Sequence, residues 1–137
     1  MEINDFFSIY KAAAWNKDKA AMIDLYDQQA LIFDMWDQGF ISDPAEWTKI
    51  IEDWLDSLGD EKVKVEFEMI TVHQSGNVGF AGGLILYQAI SKEGTVLRSM
   101  KNRITLGFSK REDGWKVIHQ HVSAPINSDG LTAILKI

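Results

Sequence analysis

The chain carries 137 residues, a net charge of −6 and no cysteine. A single domain accounts for that length, and 46 % hydrophobic with 25 % charged residues is the composition of a globular protein that buries a core without staples. The missing thiols exclude disulfides, cysteine nucleophiles and thiolate zinc sites, and the acidic surplus argues against a nucleic-acid partner, which needs a concentrated excess of Lys and Arg.

Ile3, Phe6, Phe7, Tyr10, Ala13 and Ala14 recur at helical spacing and predict an amphipathic first helix. Asn16-Lys17-Asp18 interrupts it. Asp18 is placed to cap a short second helix with Ala21, Met22, Leu25 and Tyr26 on one side. The run from Ala30 to Trp36 is short, apolar and aromatic, with one acid, Asp34, inside it, and reads as strand. Asp43-Pro44-Ala45-Glu46 then combines an N-cap, a first-turn proline and an acid three residues after the cap. Trp47, Ile50, Ile51, Trp54, Leu55 and Leu58 continue as one apolar stripe that Gly59 ends.

From Val63 the period is two. Val63, Val65, Phe67 and Met69 alternate with Lys64, Glu66 and Glu68, a strand wet on one side. The next strand, around Val78 to Ile90, holds Leu84-Ile85-Leu86-Tyr87 and is apolar on both faces. A long strand from about Val96 to Ser109 follows, and Asp113-Gly114 turns into the last, Trp115 to Ser123, with Pro125 beyond it. Gly79, Gly82, Gly83 and Gly107 lie inside strands, where glycine marks a bulge or a bend. Helix, helix, strand, helix and four hairpin-connected strands make an α+β fold, with the helices gathered on one face of a bent sheet. Leu84, Ile85 and Leu86 point alternately to both faces, so the outer face needs a cover, and a second copy of the chain is the economical one.

The order of elements resembles the nuclear transport factor 2-like superfamily, a cone-shaped roll of three helices packed on a strongly curved mixed or antiparallel sheet. Arg103-Ile104-Thr105, together with Asp113-Gly114-Trp115-Lys116-Val117-Ile118-His119-Gln120-His121-Val122-Ser123, resembles its SnoaL-like branch. That branch includes the association domain of calcium/calmodulin-dependent kinases. The resemblance covers residues 1–137 as one SnoaL-like domain, and its members include isomerases, cyclases, dehydratases, binding proteins and assembly domains. It implies a pocket at the wide end of the cone and a homodimer through the outer sheet face.

The resemblance also bears on single residues. In ketosteroid isomerase a tyrosine eight residues before an inter-helix aspartate holds the oxyanion, and Tyr10 stands eight before Asp18. Its general base is an aspartate at the end of the first strand, a placement that Asp34 shares. Its second oxyanion acid has no match, since the corresponding segment reads Thr105-Leu106-Gly107. Arg103 is similar to an arginine of the association domain. A second arginine of that domain is replaced by Val122, and this weakens anion binding by an arginine cluster.

The residues themselves leave alternatives. Asp34 is either a base tuned by apolar neighbours or a strand-end acid that accepts backbone or Arg103 hydrogen bonds. Tyr10 is either a ligand contact or a core tyrosine. If Ile104, Leu106 and Phe108 lie on the dimer face, Arg103 and Thr105 face the cavity, where Arg103 would need an anion; otherwise Arg103 is a rim charge. His119 and His121 share a face with Trp115, Val117 and Ser123 in an unbulged strand, but the alternation does not say which face is concave. The association-domain comparison implies Gln120 and Val122 inward and the histidines outward. Metal binding by His119, His121 and His73 lacks a placed third ligand, so no metal and no cofactor are expected.

The expected pocket set is therefore Tyr10, Asp34, Trp36, Trp54, Arg103 and His121. Trp15, Trp36, Trp47 and Trp54 are expected as wall and core. The first functional expectation is a small-molecule-binding protein whose ligand is partly apolar, and anionic if Arg103 meets it. The second is an isomerase, cyclase or dehydratase with Asp34 as general base and Tyr10 or Arg103 on the developing charge. The third is an assembly module without chemistry. No apolar run approaches the ~20 residues of a membrane helix, and the acidic start, Met1-Glu2-Ile3-Asn4-Asp5, lacks a signal peptide's basic region, so a cytoplasmic location without membrane contact is expected.

Overall fold

Two carboxylates set where helices begin. Asp18 Oδ1 accepts the Ala21 N–H at 3.1 Å, and Asp43 Oδ1 accepts the Ala45 N–H at 2.9 Å, each bond satisfying a donor that the first turn would otherwise orphan. They open α2 (Lys19–Ile23) and α3 (Pro44–Asp56), which follow α1 (Asp5–Asn16). The strands are β1 (Tyr26–Phe33), β2 (Phe40–Ile41), β3 (Lys62–Ser75), β4 (Val78–Ile90), β5 (Val96–Arg111) and β6 (Gly114–Ser123). This is a computed structural model, and it describes residues 1–137. No helix in it is long and apolar enough to cross a membrane.

The strands form one sheet in the order β2-β1-β6-β5-β4-β3. β3 to β6 are antiparallel neighbours, whereas β1 runs parallel to β6, so the sheet is mixed. The fold is thus the expected α+β arrangement, with a curved, unclosed sheet. Two boundaries differ from the sequence expectation. Tyr26 opens β1 instead of closing the second helix, and β1 ends at Phe33, leaving Asp34 just beyond it. β2 is new: it returns on β1 through Ile32 opposite Ile41, and two residues are too few to show any period.

One-residue bulges bend the sheet. In β3, Glu68 opposes Leu84 but Thr71 opposes Gly82. Met69 takes a positive φ of 56° and turns outward, 79 % exposed, which corrects its expected place among the inward residues. In β6, Val117 opposes Phe108 while His119 opposes Gly107, so Ile118 is the extra residue. That bulge splits the set expected on one face. Trp115 and Val117 are buried among the core residues, while His119, His121 and Ser123 turn outward and Gln120 and Val122 turn in.

Phe6 sits at the heart of the core, 0 % exposed, with ring centroids of Tyr10, Phe67 and Phe108 at 5.5, 6.5 and 5.8 Å. It ties α1 to β3 and β5. Beyond β6 the chain returns along β5, where Lys101 N–H donates to Leu135 C=O at 2.7 Å. That segment carries Leu135 to the mouth of the cavity described next.

Candidate functional site

The helices do not fill the concave side of the sheet. Between them and the strands lies a cavity of about 940 Å³, within the size range of small-molecule sites. α3 supplies Trp47, Ile50, Ile51 and Trp54 to its wall, and the sheet answers with Tyr87, Met100, Asn102, Gln120 and Val122. Aromatic contacts hold that wall in shape. Trp47 meets Tyr26 edge-on at 5.4 Å, and Trp54 meets Tyr87 at 6.1 Å.

A few polar groups converge inside the apolar wall. The hydroxyls of Tyr10 and Tyr87 lie 3.3 Å apart, and Tyr26 donates to Gln120 Oε1 at 2.5 Å. Burial pushes the Tyr10 hydroxyl up to about 12 and those of Tyr26 and Tyr87 well above the ordinary range, because the phenolate cannot be solvated there. All three are therefore neutral hydrogen-bonding groups at any physiological pH. Asp34 is half-buried, and burial raises its pKa; the Met35 N–H, which donates to Oδ1 at 2.9 Å, partly offsets this. Asn102 differs from the rest. It is 0 % exposed, and neither end of its amide has a hydrogen-bond partner within the protein.

Of the expected pocket residues, Tyr10, Asp34, Trp36 and Trp54 line this cavity, Trp36 at the rim with 53 % exposure. Arg103 and His121 do not. Helices α1 and α3 cover the face of β5 that carries Ile104, Leu106 and Phe108, all core residues, so Arg103 and Thr105 point the other way. Arg103 Nε donates to Ser123 Oγ at 3.2 Å on the exposed outer face. His121 lies there too, its ring edge-on to Phe33 at 5.5 Å, next to His119 at 4.9 Å. His73 stacks on Phe80 in the row that runs through Gly107 to His119, about 14 Å away across three strand spacings, so the imidazoles do not converge. Trp15 is also outside the wall, exposed under the Lys62 ammonium at 4.7 Å.

Losing Arg103 removes the argument for an anionic ligand. The cations in the wall are Lys49 and Arg98. Lys49 pairs with Asp53 at 2.7 Å and Arg98 with Glu61 at 2.6 Å, whereas Asp34, Asp37 and Glu46 also face the cavity. The site is thus apolar and neutral to acidic. Tyr26, Tyr87 and Asn102 line the cavity in addition to the residues expected from sequence. Asn102 had a usable signal: it shares parity with Ile104, Leu106 and Phe108, and parity puts all four on one face.

A family model described as a SnoaL-like domain matches residues 3–127. No curated protein matches the chain in sequence. Among solved structures, the chain is similar to an NTF2-like protein of unknown function from Pseudomonas putida KT2440. The TM-score is 0.83 at 21 % identity, covering 98 % of this chain and 92 % of that one. It is also similar to a putative calcium/calmodulin-dependent protein kinase II association domain from Xanthomonas campestris, with a TM-score of 0.74 at 17 % identity, covering 98 % and 87 %. A nuclear transport factor 2-like superfamily protein from Salmonella enterica serovar Typhimurium matches with a TM-score of 0.69 at 18 % identity, covering 92 % and 90 %. At these identities the likeness is one of fold.

Proposed function

The chain belongs to the SnoaL-like domain family, and on that premise we propose that it binds a small, largely apolar, uncharged molecule in its cavity. The observation that carries this reading is the cavity itself, about 940 Å³ walled by aromatic and aliphatic side chains around a few convergent polar groups. A filled interior would have favoured a pure assembly module instead. Titration with a neutral apolar fluorophore such as N-phenyl-1-naphthylamine tests it. Saturable one-to-one binding is expected, with quenching of the tryptophan emission. Ala89 lines the cavity, so Ala89→Trp should fill part of it and weaken binding about tenfold or more, since buried apolar contact supplies the affinity. Unchanged affinity in that variant would place the fluorophore elsewhere.

A second reading is supported by Asp34, a half-buried carboxylate whose pKa burial raises, in the same cavity wall as the neutral Tyr10 hydroxyl. That pair suits proton abstraction beside a carbonyl, with the carboxylate as base and the phenol on the developing oxyanion. Deuterium exchange at the α-carbons of a bound ketone is the assay. The rate should rise with pH through the elevated Asp34 pKa, because only the ionised form is a base, and should fall to background in Asp34→Asn. Full exchange in that variant would end the enzymatic reading.

We also propose that the outer sheet face pairs with a second copy. Phe80 is 50 % exposed there, beside the half-buried Leu84 and Leu86, an apolar surface that association would cover. Sedimentation velocity at micromolar concentration should show a dimer, and a monomer would contradict the pairing.

A further inference from the structure

Asn102 is placed by the register of the sheet. It stands opposite Ile85 on the inward face of β5, two residues before Ile104, in a strand that an apolar residue would suit equally well. Its amide belongs to the cavity wall but has no accessible surface, so a ligand reaches it only by displacing the side chains packed over it. Neither Nδ2 nor Oδ1 meets a protein partner. Folded proteins satisfy the large majority of such groups, and leaving one unpaired is costly. The nearby polar groups are already committed to one another, Tyr10 to Tyr87 and Tyr26 to Gln120.

We propose that Asn102 selects the ligand, pairing through both ends of its amide with a neutral group that carries an acceptor and an N–H donor on one edge: a lactam or cis-amide. The proposal rests on the cavity reading above and names the chemistry of its occupant. The choice follows from what each alternative leaves unpaired. A carboxylate satisfies Nδ2 but sets its charge against Oδ1, and the acids Asp34, Asp37 and Glu46 in the same wall oppose it further. An ammonium satisfies Oδ1 and repels the Nδ2 donors. A ketone leaves Oδ1 without a donor. A lactam edge serves both atoms at once, as in an amide dimer. Its ring would lie against the aromatic wall of Trp47, Trp54 and Tyr87, and the Trp47 Nε1–H, also buried without a partner, offers one further donor.

Three molecules of one bicyclic skeleton test this: 3,4-dihydroquinolin-2-one, 2-tetralone and tetralin, titrated calorimetrically into the full chain. The lactam should bind about 10- to 100-fold more tightly than 2-tetralone, because a site built to hydrogen-bond a group rejects the analogue that lacks it. In Asn102→Leu that preference should vanish and tetralin should bind at least as well as the lactam. Equal affinities of the three for the native chain, or an undiminished lactam preference in Asn102→Leu, would overturn the role of Asn102 while leaving the cavity reading intact. Binding of none of them to the native chain would overturn the cavity reading and this inference with it. If Asn102→Leu fails to fold, the side-chain ¹⁵N resonance of Asn102 in the native chain decides. It should shift with the lactam and not with 2-tetralone, and any other pattern overturns the assignment.

Discussion

Phe6→Ala should lower the stability of the chain by about 3–5 kcal/mol, the usual cost of emptying a large aromatic site in a core. Phe6 is fully buried and touches α1, β3 and β5 through rings less than 7 Å away, so no solvent can relax into the gap. Domains of this size are stable by only about 5–15 kcal/mol, and the loss is therefore a large part of the whole. Urea denaturation reads it as a lower midpoint with an unchanged slope. A shift worth less than about 1 kcal/mol would mean that α1 is not docked on the sheet through this ring. The effect also reaches the site. Tyr10 rests on the same ring one turn further along α1, so the milder Phe6→Leu should keep the fold while loosening the Tyr10–Tyr87 pair, seen as weaker ligand binding.

The second large effect is at Gly83, opposite the β3 bulge. A Cβ built there would stand 2.8 Å from the Glu68 carbonyl oxygen, 3.3 Å from Ile70 Cα and 2.5 Å from Ile70 Cδ1. The Ile70 methyl can swing away, but the two backbone atoms move only if the bulge moves. Gly83→Ala should therefore cost about 2 kcal/mol, and Gly83→Val more, as overpacked sites do. Its neighbour is the control. A Cβ at Gly82 meets nothing nearer than the Ile104 carbonyl oxygen at 3.8 Å, so Gly82→Ala should be neutral or slightly stabilising by restricting the unfolded chain. Equal melting temperatures for Gly83→Ala and Gly82→Ala would contradict the bulge geometry.

Much of this was legible in the residues. The caps Asp18 and Asp43, the stripe of α3 and the four hairpin strands rest on local signals: a side-chain acceptor at a helix start, a 3.6-residue period, a two-residue period. The in-strand glycines marked a bend, and Gly83 lies at one. The pairing of Gln120 and Val122 with the cavity, suggested by resemblance, also agrees with the structure. The SnoaL-like family that the motif around Arg103 and Trp115 to Ser123 resembles is the one whose model matches residues 3–127.

What the residues alone determined is which side chains share a face, because alternation along a strand is a property of the backbone. What they left undecided is which face the helices cover. Ile104, Leu106 and Phe108 suit a helix-covered core or an interface with a second copy equally well, since apolar surface is non-directional in what it packs against. Only the docking of α1 and α3 assigned that face to the interior, and it sent Arg103 and His121 outside. The extra residue at Ile118 completed the exchange by reversing the parity halfway along β6. The same docking turned Asn102, one unremarked polar residue between Lys101 and Arg103, into the group with the strongest unmet demand in the cavity.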